Sequence, residues 1–207
     1  MKRRALLAAA GWSALGVPIG AAAGEPGHAP PCLSLEDLLR RRRMVRRYRT
    51  DPVPEALVRD LIAAANRAPS AGHTQPWAFV VVRDEERRRA LARAALEQMF
   101  VADASVVLVA CAELERSRAR YGARGDQYAL IDTAFASLLL LLAVAERGLG
   151  ACLVGPFHAA GVSGILGLPR EVKPVAVIPI GWPAESPAPM KLRPPRDVVH
   201  AERWSSP

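Results

Sequence analysis

The sequence has few of the residues from which metal sites and disulfide frameworks are built. Its 207 residues include three cysteines, Cys32, Cys111 and Cys152, and four histidines that lie far apart. The cysteine count is odd and no CxxC pair is present, so neither a zinc ribbon nor a disulfide framework is indicated. Cys111 and Cys152 are flanked by apolar residues, which predicts two ordinary buried thiols. We therefore predict no metal site.

Aromatic residues are also scarce, at 5% of the chain, whereas hydrophobic residues make up 51%. A chain of this length and composition can bury a sizeable core and needs only one domain to do so. Alanine, leucine, valine and arginine are abundant, which favours a helix-rich mixed structure. No internal repeat is visible.

The net charge of +8 is concentrated in one stretch, Arg40 to Arg49, whose sequence is RRRRMVRRYR. Seven of these ten residues are arginine, so the rest of the chain is close to neutral. We call this stretch the arginine run. One interpretation is a solvated patch that binds nucleic acid or an anionic membrane. The other is a built phosphate site, because the planar guanidinium group matches phosphate oxygens.

The N-terminus has the pattern of a secretory signal. Lys2, Arg3 and Arg4 precede an apolar run that ends in small residues near Ala23, and the adjacent arginines are typical of the twin-arginine route. We expect a twin-arginine-like signal peptide at residues 1–23, a linker at 24–32 and the folded domain at 33–207. Cleavage would leave no stable membrane span and would place the protein in the periplasm. The alternatives are an uncleaved N-terminal membrane anchor and a cytoplasmic protein.

Capping and breaker residues divide the rest of the chain into helices and strands. Ser34 followed by Glu36 and Asp37 predicts a helix start, and a second helix stops before Pro69. Further helices are expected at residues 84–99, 126–147 and 161–168, and strands at 79–82, 105–111, 151–155 and 175–180. The run 105–111 lacks alternation, which predicts a strand covered on both faces. The proline-rich tail from Trp182 onward needs another surface to lie against.

The longest expected helix is apolar nearly all round between Phe135 and Val144. This pattern predicts a core helix that is buried on every side. A subunit interface would explain the same pattern equally well.

Four separated segments carry short motifs: residues 42–48 (RRMVRRY), 68–77 (APSAGHTQPW), 148–157 (GLGACLVGPF) and 191–195 (KLRPP). In this order and spacing they resemble the nitroreductase family of flavin enzymes. The resemblance implies an α+β fold of three layers, with a central, mostly antiparallel sheet flanked by helices. It also implies a homodimer with FMN at two sites in the subunit interface, and a C-terminal arm that extends onto the partner subunit.

The same resemblance implies which residues bind the cofactor, in three groups. The first group lies against the ribityl chain and phosphate, with two residues of the tail closing over the phosphate: Arg42, Arg43, Met44, Arg46, Lys191 and Arg193. The second group belongs to a loop that reaches the flavin of the partner subunit: Pro69, Ser70, His73 and Gln75. The third group places backbone beside N5 and O4 of the isoalloxazine ring: Leu153, Val154 and Gly155.

The chain departs from the family pattern at several of these places. Met44 replaces a common serine, His73 replaces a common asparagine, and Pro156 lacks an N–H that could contact the flavin. Leu138 and Leu139 stand where relatives often carry glutamine and asparagine. Each lost hydrogen bond costs about 1 kcal/mol of binding, so we expect FMN to remain the cofactor but to bind less tightly.

The implied activity is a ping-pong oxidation and reduction. NAD(P)H would deliver hydride to flavin N5, and a nitroaromatic, quinone or related small acceptor would then be reduced in the same pocket. This chemistry belongs to the cofactor, so no catalytic side chain is assigned. No nucleic-acid partner is expected. Export would separate the protein from NAD(P)H, which leaves the electron donor open.

Other functions remain open at this point. Residues 121–132 (YGARGDQYALID) resemble the variant group that contains azoline-oxidising dehydrogenases, which convert peptide thiazolines into thiazoles. Dimethylbenzimidazole synthases share the arginine and PSxG..QPW motifs, but the tail here is unlike theirs. A function from another class is a basic protein without flavin that binds nucleic acid or an anionic membrane through the arginine run.

Overall fold

The centre of the fold is a four-stranded sheet, seen in a computed structural model whose described residues are 33–204. Its strands are β1 (Trp77–Val82), β2 (Val106–Glu113), β3 (Gly150–Ala151) and β4 (Val172–Gly181). They lie in the order β1-β2-β4-β3, and each neighbouring pair is antiparallel. Val109 of β2 lies opposite Val80 on one side and Val177 on the other.

Helices cover this sheet. They are α1 (Leu35–Arg41), α2 (Glu55–Ala65), α3 (Glu85–Ala94), α4 (Phe100–Asp103), α5 (Leu114–Tyr121), α6 (Gly125–Glu146) and α7 (Ala159–Leu166). Short 3₁₀ turns occupy Ala71–His73, Gly122–Arg124 and Pro195–Asp197. The longest element is α6, which contacts all four strands as well as α1, α2 and α5.

The two faces of the sheet carry two separate hydrophobic cores. On one face, Leu108 of β2 packs in the same core as residues of α2 and α6. On the other face, Val107 and Val109 pack in a core that includes residues of α3 and α7. Successive β2 side chains thus enter opposite cores, as the pleat requires. This confirms both the strand covered on two faces and the three-layer α+β fold.

The predicted helix boundaries agree with the structure in most places. Ser34 caps α1, since its Oγ accepts a hydrogen bond from the Asp37 amide at 3.1 Å. The helix expected at residues 84–99 was too long, because α3 ends at Ala94. Leu96 and Glu97 then have left-handed φ values of 57° and 58°, which no continuing α-helix can contain.

The strand expected at residues 151–155 was also wrong in its extent. Only Gly150–Ala151 forms β3, and Val154 makes an isolated antiparallel pair with Val177 of β4. Between them Cys152 donates to the Pro179 carbonyl at 3.3 Å, but Pro179 has no N–H to donate in return, so the ladder is interrupted there. The Leu153 amide points to the other side of the segment and donates to Met44 Sδ at 3.5 Å.

The expectation that α6 is buried on every side was wrong. Phe135 is 45% exposed and Leu138 is 47% exposed, and Leu130 and Ile131 are exposed one turn earlier. Ile131, Phe135 and Leu138 follow one another at spacings of four and three positions and so lie on one helical face, and Leu130 borders that face. Composition could not separate this arrangement from a core helix. We call these four residues the α6 stripe.

One helical stretch in the described range, Leu114–Glu146, is long and apolar enough to cross a membrane by length and composition alone. Half of its most apolar window is buried inside the fold. The core helix of a globular domain passes the same test, so this is weak support for a membrane span.

The predicted signal peptide (1–23) and linker (24–32) lie outside the described residues, and they stay predictions. The described residues 33–204 belong to one compact unit, and the domain bounds also stay a prediction. After β4 the chain continues as an irregular segment whose side chains are mostly exposed from residue 187 to residue 204. Within one chain this tail has little to pack against.

Candidate functional site

The arginine run is extended and lies beside β3. Its first two residues, Arg40 and Arg41, are the last residues of α1, the chain is extended from Arg42 onward, and Met44 forms a parallel bridge with Ala151. The Val45 amide donates to the Ala151 carbonyl at 2.9 Å. The Tyr48 hydroxyl donates to the Val45 carbonyl at 2.6 Å, which fixes the curvature of the run. The first and third motif segments are therefore in contact.

Glycine at position 150 makes this approach possible. A Cβ atom built on Gly150 would lie 2.8 Å from Cβ of Val45, a distance that real Cβ atoms essentially never show. Val45 is itself buried. The glycine-rich motif at 148–150 thus allows the backbone of the arginine run to reach the sheet edge.

Several arginines of the run are already paired and do not form one basic patch. Arg40 pairs with Glu36, and Arg49 pairs with Asp51. Glu185 accepts hydrogen bonds from the Arg46 amide at 2.6 Å, the Arg47 amide at 3.1 Å and Arg47 Nε at 3.1 Å. These contacts, the Arg46 amide first, lower the pKa of Glu185. The carboxylate therefore ties the middle of the run to the chain after β4.

Arg42 differs from these paired arginines. Its Nη1 atom is buried and has no hydrogen-bond partner among the described residues. It lines a cavity of about 190 Å³ together with Arg41, Arg43 and the C-terminal turns of α6. A buried guanidinium nitrogen without an acceptor is costly unless an anion binds it. A cavity of this size suits a phosphate group but is smaller than a pocket for a whole ligand of flavin size.

Arg46 lies on a different cavity. Its guanidinium carbon sits 5.8 Å from the centre of the Phe100 ring, a cation–π contact. It lines a groove of about 900 Å³ with Arg88, Met99 and the residues that follow α4. Within one chain Arg42 and Arg46 thus point to separate spaces, although the resemblance assigns both to the same cofactor.

The segment after β3 presents backbone next to the arginine run. The Leu153 amide donates to Met44 Sδ, and the Leu153 side chain is exposed. Val154 is held by its pair with Val177, and a Cβ on Gly155 would meet no atom within 4 Å. Met44 fills the place expected for a serine and packs against both cores. The backbone of Leu153 to Gly155 is therefore held in place, and the space beside it is free for a flat ring. We call these residues the 153–155 edge.

The loop of the second motif, residues 69–75, is held by α5 and α6. Pro69 begins it, and Ser70 Oγ accepts a hydrogen bond from the Gln75 amide at 3.0 Å. His73 and Gln75 have left-handed φ values of 58° and 47°. The loop's side-chain hydrogen bonds to other elements go to α5 and α6, whereas the arginine run bonds β3, β4 and the chain after β4. Trp77, which ends this motif, is buried and donates to Asn66 Oδ1 at 2.9 Å.

Lys191 and Arg193 are exposed on the tail. Arg193 donates to the Asp197 carbonyl, and neither residue lines the cavity beside Arg42. The thirteen predicted residues thus fall into three places within one chain: the arginine run with the 153–155 edge, the loop at 69–75, and the tail. Their meeting at one cofactor stays a prediction that requires a second subunit.

Two residues of this region were missed in the sequence. Asp132 is 3% exposed on α6 and accepts a hydrogen bond from the Ala71 amide at 3.0 Å. Burial raises the pKa of Asp132, and the Ala71 amide acts against that rise. Asp132 is the one charged residue in the apolar stretch 129–145 of this helix, so it could have been noticed as a buried polar position. Glu185 gave no comparable signal, because it lies in an irregular segment.

The remaining reactive groups offer no second site. Burial raises the pKa of the Cys111 thiol to about 12 and also raises that of Cys152, so both thiols stay protonated at neutral pH. Among residues 33–204 no group of three or more histidines, cysteines, aspartates or glutamates is placed to hold a metal ion.

Comparison with known proteins settles the family. The family described as "Nitroreductase family" matches residues 39–113 and 100–182. The chain belongs to the nitroreductase family. A protein of Thermus thermophilus named NADH dehydrogenase is 38% identical over 197 residues, which cover 82% of this chain and 96% of that protein. This nitroreductase-family chain is therefore an oxidoreductase.

Solved structures agree with the assignment. A putative NADH dehydrogenase/NAD(P)H nitroreductase from Parabacteroides distasonis is 27% identical, with a TM-score of 0.73 and coverage of 82% of this chain and 98% of the other. The NADPH:FMN oxidoreductase from Vibrio harveyi, solved in complex with NAD⁺, is 26% identical, with a TM-score of 0.76 and coverage of 83% and 78%. The nitroreductase fold is thus shared over most of the chain.

Proposed function

We propose that this nitroreductase-family protein is an FMN-dependent oxidoreductase that takes electrons from NAD(P)H and reduces small nitroaromatic, quinone or related acceptors. One observation carries the cofactor assignment: Arg42, whose buried Nη1 has no partner in the described chain, lines a cavity of phosphate size. FMN carries a terminal phosphate, and charge-assisted hydrogen bonds are the strong ones. The names of the related proteins support a nicotinamide donor.

Different residues of the chain would bind different parts of FMN. Arg42 would hold the phosphate, and Arg43 lies next to it with its guanidinium on the Arg42 carbonyl at 2.9 Å. The 153–155 edge would support one rim of the ring, and Lys191 and Arg193 would add positive charge from the tail. When bound, FMN would supply the redox chemistry by accepting and releasing hydride equivalents. The protein residues bind and orient the cofactor, and none of them needs to transfer a proton.

We propose that the active form is a homodimer. The α6 stripe exposes apolar side chains on the longest helix, and Leu35 and Leu39 of α1 are also exposed. A contiguous apolar face of this kind favours a protein interface. A partner's loop at 69–75 and a partner surface beneath the tail would complete a site that one chain holds only in parts.

The test of the cofactor is direct. We expect the protein purified from the cytoplasm of an expression host to be yellow or to take up added FMN, and to lose its visible absorbance on anaerobic addition of NADH or NADPH. A colourless protein that takes up no FMN would refute the proposal. Salt-sensitive binding of DNA or anionic vesicles by such a colourless protein would support the alternative of a basic binding protein.

We also propose export through the twin-arginine-like leader at residues 1–23, on the basis of Lys2, Arg3, Arg4 and the apolar run behind them. A protein exported in this way would meet little NAD(P)H, so NAD(P)H would be the donor in vitro or before export, and another reductant would serve in the periplasm. Fractionation tests this: we expect the wild type in the periplasm and Arg3→Lys/Arg4→Lys in the cytoplasm. A wild-type protein that stays cytoplasmic or remains in the membrane would contradict export.

A further inference from the structure

The loop at 69–75 has a backbone conformation that it cannot hold by itself. His73 and Gln75 are left-handed although neither is glycine. Such residues cost about 1–3 kcal/mol each and persist only where surrounding contacts determine them. The Ser70–Gln75 hydrogen bond closes the loop on itself but does not anchor it to the fold. Other elements must supply that anchor.

Two buried side chains anchor the loop from within the fold. Asp132 of α6, 3% exposed, accepts a hydrogen bond from the Ala71 amide at 3.0 Å. Ser117 of α5, 0% exposed, lies with its Oγ 3.2 Å from Thr74 Oγ1. Because these partners are buried, water cannot readily replace the loop as their hydrogen-bond partner.

Two arginines of α5 hold the loop carbonyls from outside. Arg116 Nε donates to the Thr74 carbonyl at 3.0 Å, and Arg120 Nη1 donates to the Gly72 carbonyl at 3.1 Å. Gly72 packs closely against this helix: a Cβ built there would lie 2.3 Å from the Tyr121 hydroxyl and 2.4 Å from Arg120 Nε. The hairpin of α5 and α6 therefore contacts Ala71, Gly72 and Thr74 and leaves His73 exposed.

We propose that the α5–α6 hairpin is the positioning device of the cofactor loop, with Asp132 and Arg120 as positioning residues. They act through the loop backbone, by fixing the left-handed conformations that present the His73 and Gln75 side chains. This inference rests on the proposed FMN function.

The test compares hairpin residues that touch the loop with neighbours that do not. Asp132→Leu removes the acceptor for the Ala71 amide, Asp132→Asn keeps an acceptor oxygen, and Arg120→Met removes a surface contact that folding does not require. The matched controls are Arg118→Met and Asp126→Leu. Arg118 and Asp126 form an ion pair on the same hairpin, with Arg118 Nη2 2.8 Å from Asp126 Oδ2, and their hydrogen bonds do not involve the loop.

Two readouts are needed. Amide hydrogen exchange of the peptide at 69–76 in the apoprotein reports on the loop without any cofactor, and FMN titration by fluorescence quenching gives the dissociation constant. We expect Asp132→Leu to speed exchange in this peptide and to weaken FMN about 10-fold, and Arg120→Met to weaken it about 3-fold, from the usual worth of such hydrogen bonds. Asp132→Asn should stay near wild type. The controls should lower thermal stability without changing loop exchange or FMN affinity.

The outcomes are separable from those of the functional proposal. Unchanged loop exchange in Asp132→Leu and Arg120→Met overturns the inference, as does a control that weakens FMN as much as either of them. If Asp132→Leu fails to fold, Arg120→Met with the exchange measurement decides alone. A wild-type protein that binds no FMN defeats the proposed function, and loop exchange in the apoprotein then still shows whether the hairpin positions the loop.

Discussion

Replacing Arg42 with methionine should stabilise the cofactor-free protein and weaken FMN binding. The opposite signs follow from one feature, the buried Nη1 without a partner. Methionine keeps a long unbranched side chain, so most of the packing of the arginine stem is retained. What the substitution removes is the charged end.

The size of both effects can be worked from that atom. A buried donor without an acceptor costs about 1–3 kcal/mol, so Arg42→Met should gain roughly this much in the apoprotein. For a chain of this length each kcal/mol raises the melting temperature by about 2–4 °C. In the complex the same nitrogen would donate to a phosphate oxygen, a bond worth about 1.5–3 kcal/mol, so the dissociation constant of FMN should rise about 10- to 150-fold.

The assay is thermal unfolding with and without FMN, together with FMN titration. Arg41→Met is the matched control, because Arg41 also lines the cavity and the same charge is lost, but its side chain is exposed. We expect the control to stay within about 0.5 kcal/mol of wild type in stability. A destabilised Arg42→Met apoprotein, or one that binds FMN as the wild type does, would falsify the assignment of Arg42 to the phosphate.

Three further predictions test the scaffold. Since the pKa of Glu185 is lowered in the fold, its stabilising effect is present above the ordinary carboxyl pKa and is lost as pH falls through the lowered value. Glu185→Gln should therefore melt earlier than wild type at about pH 7 and equally at about pH 2, as thermal scans across pH would show. Gly150→Ala should cost about 1–3 kcal/mol in urea unfolding through its clash with Val45, and Val45→Ala should restore part of it; additive effects would contradict that contact. Phe135→Asp with Leu138→Asp should convert the dimer into monomers in sedimentation, whereas Leu96→Asp, equally exposed but off the α6 stripe, should not; a wild-type monomer with FMN bound would contradict the dimer.

The layers of the fold could be predicted from local patterns because each depends on near neighbours in the sequence. The unbroken apolar run of β2 predicted cover on both faces, and two cores indeed meet there. Ser34 marked the start of α1 through its own hydrogen bond to Asp37. Such signals involve residues a few positions apart, and tertiary contacts seldom reverse them.

The strand after Gly150 is interrupted because Cys152 lies opposite Pro179 of β4, a distant residue that has no N–H to donate. The exposed face of α6 was missed because leucine and phenylalanine are equally suited to a core and to a subunit surface. Asp132 was overlooked because its partner is the Ala71 amide, and a backbone group leaves no trace in the sequence.

Several costly features of the described structure lie at residues that the proposed function uses, although Glu202 of the tail is left-handed as well. Arg42 carries the buried nitrogen without a partner, and His73 and Gln75 have left-handed backbones. Leu96 and Glu97 share that backbone conformation, but they follow the end of α3, where left-handed residues commonly stop a helix. The loop has no such local reason, and its conformation is maintained by contacts from α5 and α6. The strained backbone lies in the loop and the unpaired buried donor belongs to a residue that lines the cavity. This placement is typical of a ligand-binding site.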